Sequence, residues 1–145
     1  ISFLLLIFLI LTQIILGAFV SGLDAGKIYQ TWPLMNEAYF PEDVTINRNF
    51  DLLNFNNQSL VQFYHRNLAY VLTVYIIIIS CYIYMSKLKR LYLPINLVLL
   101  FLLLQIILGI FTLVSGLNIY LASAHQICSV LLVFTTLNLY YFYIK

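Results

Sequence analysis

Two histidines, His65 and His125, are the only imidazole side chains in the chain, and each lies within a long apolar segment. An ionisable side chain inside an apolar span usually marks a functional site. Three roles are open: a structural hydrogen bond between helices, a proton relay, and axial ligation of haem iron, for which neutral imidazole is a ligand. A proton relay normally includes Asp or Glu in the spans, and none is present there. The residues therefore favour haem.

Small residues surround both histidines, as a flat porphyrin lying against a helix requires. Ala69 follows His65 by one helical turn, and the neighbours of His125 are Ala122, Ser123, Ala124, Cys128 and Ser129. We expect Ala69 and Ser129 to face the porphyrin. Arg66 is suited either to pair with a haem propionate or to extend to a lipid phosphate.

The two cysteines, Cys81 and Cys128, have neither a CxxC spacing nor a Cys/His cluster around them. They therefore indicate no zinc site, iron–sulfur cluster or disulfide framework. Because both lie in apolar segments, we expect small buried side chains. We also expect them at opposite depths, roughly 20 Å apart, which is too far for a disulfide.

The composition predicts an all-α membrane protein, because 63% of the residues are hydrophobic and 8% are charged, against about 25% charged in soluble domains. Four segments are long enough to span a bilayer, at residues 1–22, 59–85, 94–116 and 120–143. The third and fourth must form an antiparallel hairpin, because the link between them is very short. We predict one transmembrane four-helix domain, residues 1–145. Since the chain starts within an apolar run, we expect it to be part of a longer membrane protein.

The distribution of charge predicts the orientation. The link between the second and third spans contains Lys87, Lys89 and Arg90 without an acid, and Lys145 lies on the same side. All five acids lie between the first two spans. The positive-inside rule then places the loop of residues 23–58 on the outer side. Its recurring aromatic residues predict a partly ordered lid over the bundle, with an interfacial loop of no chemical role as the alternative.

An internal repeat connects the two histidine-bearing segments. Residues 13–19 (QIILGAF) recur as residues 105–111 (QIILGIF), and VSGL follows both copies before a histidine-bearing span. We predict two copies of a helical hairpin around a pseudo-twofold axis along the membrane normal. The histidines would then lie at matching depths on parallel helices, roughly 8–9 Å from the helix starts. We expect four glycines to let the first and third helices approach closely: Gly17, Gly22, Gly109 and Gly116.

Three segments resemble signatures of the haem A synthase family in its bacterial and mitochondrial form. They are residues 17–35 (GAFVSGLDAGKIYQTWPLM), residues 61–66 (VQFYHR) and residues 121–126 (LASAHQ). Their order and spacing also agree, and the resemblance covers essentially the whole chain. The first segment is very specific, and the two histidine segments are strong together.

The resemblance implies a fold of eight spans in two similar halves, of which this chain is similar to the C-terminal half. The family oxidises a methyl group of haem O to the formyl group of haem A for cytochrome oxidase. Its C-terminal half holds haem b between two histidines, which match His65 and His125 as cofactor-binding and metal-ligating residues. The N-terminal half is thought to hold the substrate haem and carries an important glutamate, which no residue in the present spans matches. We therefore expect an oxidoreductase whose catalytic half, with its catalytic residues, lies outside this chain.

Two other functions are open: a non-catalytic membrane cytochrome b that carries electrons, and a haem-free assembly factor or transporter-like bundle. The resemblance implies haem O and haem A as substrate and product of the full-length protein. Further implied partners are the missing N-terminal half and the lipid bilayer, and homo-oligomerisation is open, whereas no nucleic acid is expected. The implied location is the bacterial cytoplasmic membrane or the mitochondrial inner membrane.

Overall fold

The computed structural model describes residues 2–46, 51 and 54–145. Five α-helices occur in them, listed in chain order: α1 (Phe3–Gly22), α2 (Glu42–Ile46), α3 (Gln58–Met85), α4 (Tyr92–Val114) and α5 (Ile119–Ile144). All except the short α2 are long and apolar enough to cross a membrane. The predicted all-α bundle of four transmembrane helices is confirmed. Ile1 of the predicted first span, and residues 47–50, 52 and 53 of the predicted outer loop, lie outside the described residues.

Polar side chains define where three of the long helices begin. Ser2 accepts a hydrogen bond from the Leu5 amide at the start of α1, and Asn57 accepts one from the Leu60 amide at the start of α3. Asn118 does the same at the start of α5. Each side chain satisfies a backbone N–H that would otherwise have no partner within the helix.

The turn after α4 explains the tight hairpin with α5. Gly116 and Leu117 adopt left-handed conformations, with φ of 72° and 63°, and the Leu117 amide donates to the Thr112 carbonyl at 2.9 Å. This bond satisfies a carbonyl at the helix end. The chain can therefore reverse direction and begin α5 at Ile119.

The four long helices form a closed ring. Close packing joins α1 to α3, α3 to α4, α4 to α5, and α5 back to α1. The two helices that carry histidines, α3 and α5, therefore lie on one diagonal of the bundle. A cofactor held between two facing helices of a bundle is a recurring arrangement.

The buried hydrophobic core occupies the half of the bundle away from the long loop. It joins the beginnings of α1 and α4 to the ends of α3 and α5, with fully buried side chains such as Leu6, Ile79, Ile95 and Leu139. His65 and His125 lie in the opposite half and are partly exposed. The densest apolar packing and the two histidines therefore occupy different halves of the bundle.

The outer surface of the bundle is apolar. Large side chains such as Phe8, Leu93, Ile127 and Phe134 are well exposed on it, as expected for helices surrounded by lipid. Both cysteines are free: Cys128 is buried, whereas Cys81 is exposed. The predicted burial of Cys81 is therefore wrong, because its position on α3 faces away from the neighbouring helices.

Candidate functional site

His65 lies about two turns after the start of α3, with its ring against α1. The Gln13 side-chain amide Nε2 is 3.2 Å from Nδ1 of His65 and 3.4 Å from its Nε2. The same Nε2 donates to the His65 carbonyl at 2.9 Å. Gly17 follows Gln13 by one turn, and a Cβ at this position would lie 3.1 Å from the His65 ring Cε1. The glutamine and the glycine form a notch on α1 that holds the imidazole.

His125 has the corresponding neighbours on α4. The Gln105 Nε2 lies 3.4 Å from Nε2 of His125. A Cβ at Gly109 would lie 2.9 Å from Cε1 of the same ring. Within the part of the chain that the structure describes, Nδ1 of His125 is buried and has no hydrogen-bond partner.

The contacts of the two histidines follow the sequence repeat. Gln13 and Gln105 open the two copies, Gly17 and Gly109 follow four residues later, and each pair contacts the histidine of its own hairpin. Sequence reasoning gave the two glutamines no role. The signal that marks them is an identical polar residue at the same place in two apolar spans.

The four glycines behave in two different ways. Gly17 and Gly109 allow a close approach, but the approaching groups are the histidine rings, so the expected approach of the first and third helices is wrong. Among the described residues, no atom beyond the adjoining backbone lies within 4 Å of a Cβ built at Gly22, and Gly116 lies two residues after the end of α4 at positive φ. Because α1 and α4 lie on a diagonal, their backbones do not pack against each other.

The two residues expected to face a porphyrin, Ala69 and Ser129, are both partly exposed. The Ser129 hydroxyl donates to the Gln126 carbonyl within its own helix at 2.7 Å. Both residues lie one turn from their histidines towards the apolar core. Their orientation towards a porphyrin stays a prediction.

Arg66 fixes the long loop to α3. Its guanidinium donates to the Tyr29 carbonyl at 3.0 Å and to the Leu34 carbonyl at 3.2 Å. Gln62, one turn earlier and buried, donates to the same Tyr29 carbonyl at 2.8 Å. Neither contact was expected from the sequence, which suggested a propionate or a lipid phosphate as partner of Arg66. The loop is thus attached to α3 beside His65.

Tyr29 connects this part of the loop to α2. Its hydroxyl donates to Asp43 Oδ1 at 2.5 Å, and the side chain is buried. Burial raises the pKa of Tyr29 above its ordinary 10.0, and the hydrogen bond to Asp43 adds to this effect. At neutral pH the phenol is therefore a stable donor.

Neither of two cavities beside α1 contains a histidine. One, of about 10 Å³, is lined by residues that include Ile10 and Thr136. The other is an open groove along Ala18 and Gly22. Among the described residues, no group of three or more His, Cys, Asp or Glu could hold a metal ion. Haem differs from such an ion, because the porphyrin supplies the other ligands and two histidines suffice.

Fold and site define a multi-pass membrane protein with one histidine in each helical hairpin. The sequence matches the cytochrome oxidase assembly protein family (COX15-CtaA) over residues 1–137, and the chain belongs to this family. The resemblance to haem A synthases is confirmed by the curated relatives.

These relatives include the following three proteins, each named heme A synthase. The protein of Pelagibacter ubique is 47% identical over 125 residues, which cover 85% of this chain and 36% of the relative. The protein of Wolbachia pipientis wMel is 41% identical, over 86% of this chain and 34% of the relative. The protein of Rickettsia conorii is 38% identical, over 83% of this chain and 35% of the relative. The chain thus spans about a third of the length of these relatives. No solved structure matches it significantly.

Proposed function

We propose that this chain is the haem b-binding C-terminal half of a haem A synthase, with His65 and His125 as the two residues that would ligate the iron. The observation that carries the proposal is the matched setting of the two imidazoles. They lie on diagonally opposed helices, and each is held by a glutamine and a glycine of its own hairpin.

The side chains present fit a haem. Nδ1 of His125 is buried without a partner among the described residues, and buried polar atoms in native proteins are rarely left so. The two imidazoles would hold the iron, and small residues such as Ala69 lie one turn away. A haem bound there would supply one-electron redox chemistry.

The chain itself would hold the cofactor and keep water from it. The notches at Gly17 and Gly109 fix where each imidazole lies. The apolar core below the histidines closes the inner half of the bundle. The loop anchored through Gln62 and Arg66 covers α3 at the opposite end.

The full reaction belongs to a longer protein in this proposal. It would oxidise a methyl group of haem O to the formyl group of haem A for cytochrome oxidase. No acid lies in the spans of this chain, and we assign no catalytic residue to it. The proposed role of its haem is to carry electrons released by the substrate or to stabilise the bundle.

We place the protein in a bacterial cytoplasmic or mitochondrial inner membrane, with the long loop outside. The support is charge: the link between α3 and α4 contains Lys87, Lys89 and Arg90 and no acid. Cytoplasmic or matrix-side loops carry such an excess of Lys and Arg.

Conversion of haem O by the full-length protein tests the proposal. We expect conversion in the wild type and its loss in the His65→Ala and His125→Ala variants. An unaltered rate in both variants would show that this half does not serve the reaction through its histidines. A wild type that binds haem but never converts haem O would instead indicate the non-catalytic cytochrome b.

A further inference from the structure

Each histidine has a glutamine amide beside its ring, contributed by the preceding long helix of its own hairpin. Gln13 and Gln105 both lie in spans made almost entirely of apolar residues. Placing an amide in such a span costs free energy unless the amide is hydrogen-bonded. The presence of a glutamine at the equivalent position in both copies of the repeat therefore requires an explanation.

In each of the two amides, the nitrogen end has a contact and the oxygen end has none among the described residues. Their nitrogen ends face the imidazoles, at 3.2 Å from Nδ1 of His65 and 3.4 Å from Nε2 of His125. Their oxygen ends, Oε1 of Gln13 and Oε1 of Gln105, are buried and have no hydrogen-bond partner among the described residues. A buried acceptor without a partner calls for an explanation.

The chemistry of an imidazole that ligates a metal supplies an explanation for these unpaired oxygens. Neutral histidine has one N–H and one lone pair on its ring. When one nitrogen gives its lone pair to a metal, the other carries the proton and donates it to a nearby acceptor. The last torsion of a glutamine side chain is broad, so rotation of the amide exchanges its nitrogen for its oxygen.

We propose that Gln13 and Gln105 are positioning residues for haem ligation, each offering its Oε1 to the N–H of the adjacent imidazole. This inference rests on the proposed function, because it assigns the glutamines to the same haem site. The amide would hold the ring in one orientation and make the other ring nitrogen a stronger electron donor to iron.

The two pairs differ in one contact. The Gln13 amide also donates to the His65 carbonyl at 2.9 Å, and rotation would give up that bond. The Gln105 side chain makes one hydrogen bond within the described part of the chain, the 3.4 Å contact with His125. We therefore expect substitution of Gln105 to alter haem binding more than substitution of Gln13.

Leucine and glutamate substitutions separate the roles of the two amide ends. Leucine removes both donor and acceptor while keeping similar bulk, whereas glutamate keeps an acceptor. Loss of a hydrogen bond to a ligating histidine typically weakens metal binding about 10- to 100-fold. It also makes the imidazole a poorer donor, which disfavours ferric iron and raises the midpoint potential.

The experiment measures haem affinity and midpoint potential in the purified protein. We expect Gln105→Leu to bind haem about 10- to 100-fold more weakly and to have a higher potential. Gln105→Glu should restore the affinity and have a potential at or below that of the wild type. Asn138→Leu, an exposed polar-to-apolar change elsewhere on α5, is the control and should change neither quantity.

Three outcomes would decide against the inference. Gln105→Leu with unchanged affinity and potential would show that the amide does not act on the ligand. Equal losses in the leucine and glutamate variants would assign the effect to packing or to the donor end. If Gln105→Leu does not fold, a glutamate variant with a raised potential would overturn the inference. A low-spin spectrum like that of the wild type in His65→Ala and His125→Ala would instead refute the proposed function itself.

Discussion

Gly109 lies directly against the ring of His125, and a Cβ at this glycine would be 2.9 Å from the ring Cε1. At Gly17 the corresponding distance to His65 is 3.1 Å. A contact below about 3 Å forces a neighbour to move, and the nearest neighbour here is a proposed iron ligand. The two glycines therefore connect helix packing to the placement of the ligands.

Replacing these glycines with alanine is expected to weaken haem binding, and more strongly at Gly109 than at Gly17. Overpacking costs about 1–3 kcal/mol, and about 1.4 kcal/mol corresponds to a tenfold change in affinity. Titration of the purified apoprotein with haem measures the effect. Gly22→Ala is the matched control, because within the described part of the chain no atom beyond the adjoining backbone lies within 4 Å of its Cβ position. Equal affinities for all three variants would show that the notches do not position the rings.

Enlarging the small residues next to the histidines tests where a porphyrin would lie. Ala69→Trp and Ser129→Trp should each lower haem content, because a large ring would enter the volume of the cofactor. Ile77 and Leu137 lie on the same helices at exposed positions. Their tryptophan variants should therefore retain haem. Pigment content per protein measures the difference. If only the exposed controls lost haem, the two helices would present other faces to the cofactor.

The fold could be predicted from the sequence because the features that indicate it, long apolar spans and a very short link, directly restrict how the chain can fold. Four apolar spans and a very short link between residues 116 and 119 leave few arrangements other than a bundle with an antiparallel α4–α5 hairpin. The pairing of the histidines with Gln13 and Gln105 was not predicted. Spacing within the repeat shows which residues are equivalent, but side-chain contacts between helices depend on helix rotation, which the apolar pattern does not define.

Removing the buried Gln62 amide tests the attachment of the loop. Gln62→Leu loses the hydrogen bond to the Tyr29 carbonyl, and such a bond contributes about 0.5–1.5 kcal/mol. Trypsin cleavage after the exposed Lys27 should therefore accelerate about 2- to 10-fold. Asn138→Leu should leave the cleavage rate unchanged. Equal rates for Gln62→Leu and the wild type would mean that the loop is held by other contacts.

The contacts of this loop with α3 could not be predicted from the sequence. Arg66 was expected to meet a propionate or a lipid phosphate, since charge is all that the sequence reveals. Its observed acceptors are the backbone carbonyls of Tyr29 and Leu34. Backbone acceptors are the same for every residue type, so no pattern of side chains identifies them.

The pH dependence of the loop should follow Tyr29. Because its folded-state pKa is raised above 10.0, its neutral form contributes stability that is complete below pH 10 and lost as pH rises through the raised value. Trp32, the single tryptophan of the chain, reports this change by fluorescence. We expect a transition above pH 10 that Tyr29→Phe abolishes and Tyr120→Phe, at an exposed position, retains. Identical titrations of both variants would contradict the role of Tyr29.

The central claim is that His65 and His125 both ligate one haem iron. The most direct measurement is the reduced-minus-oxidised absorption spectrum of the purified protein and of its His65→Ala and His125→Ala variants, with Asn138→Leu as control. The wild type and the control should show a low-spin b-type spectrum, because two imidazoles complete the coordination of the iron. Each histidine variant should lose the pigment or become high-spin. A wild-type spectrum in either histidine variant would contradict the claim.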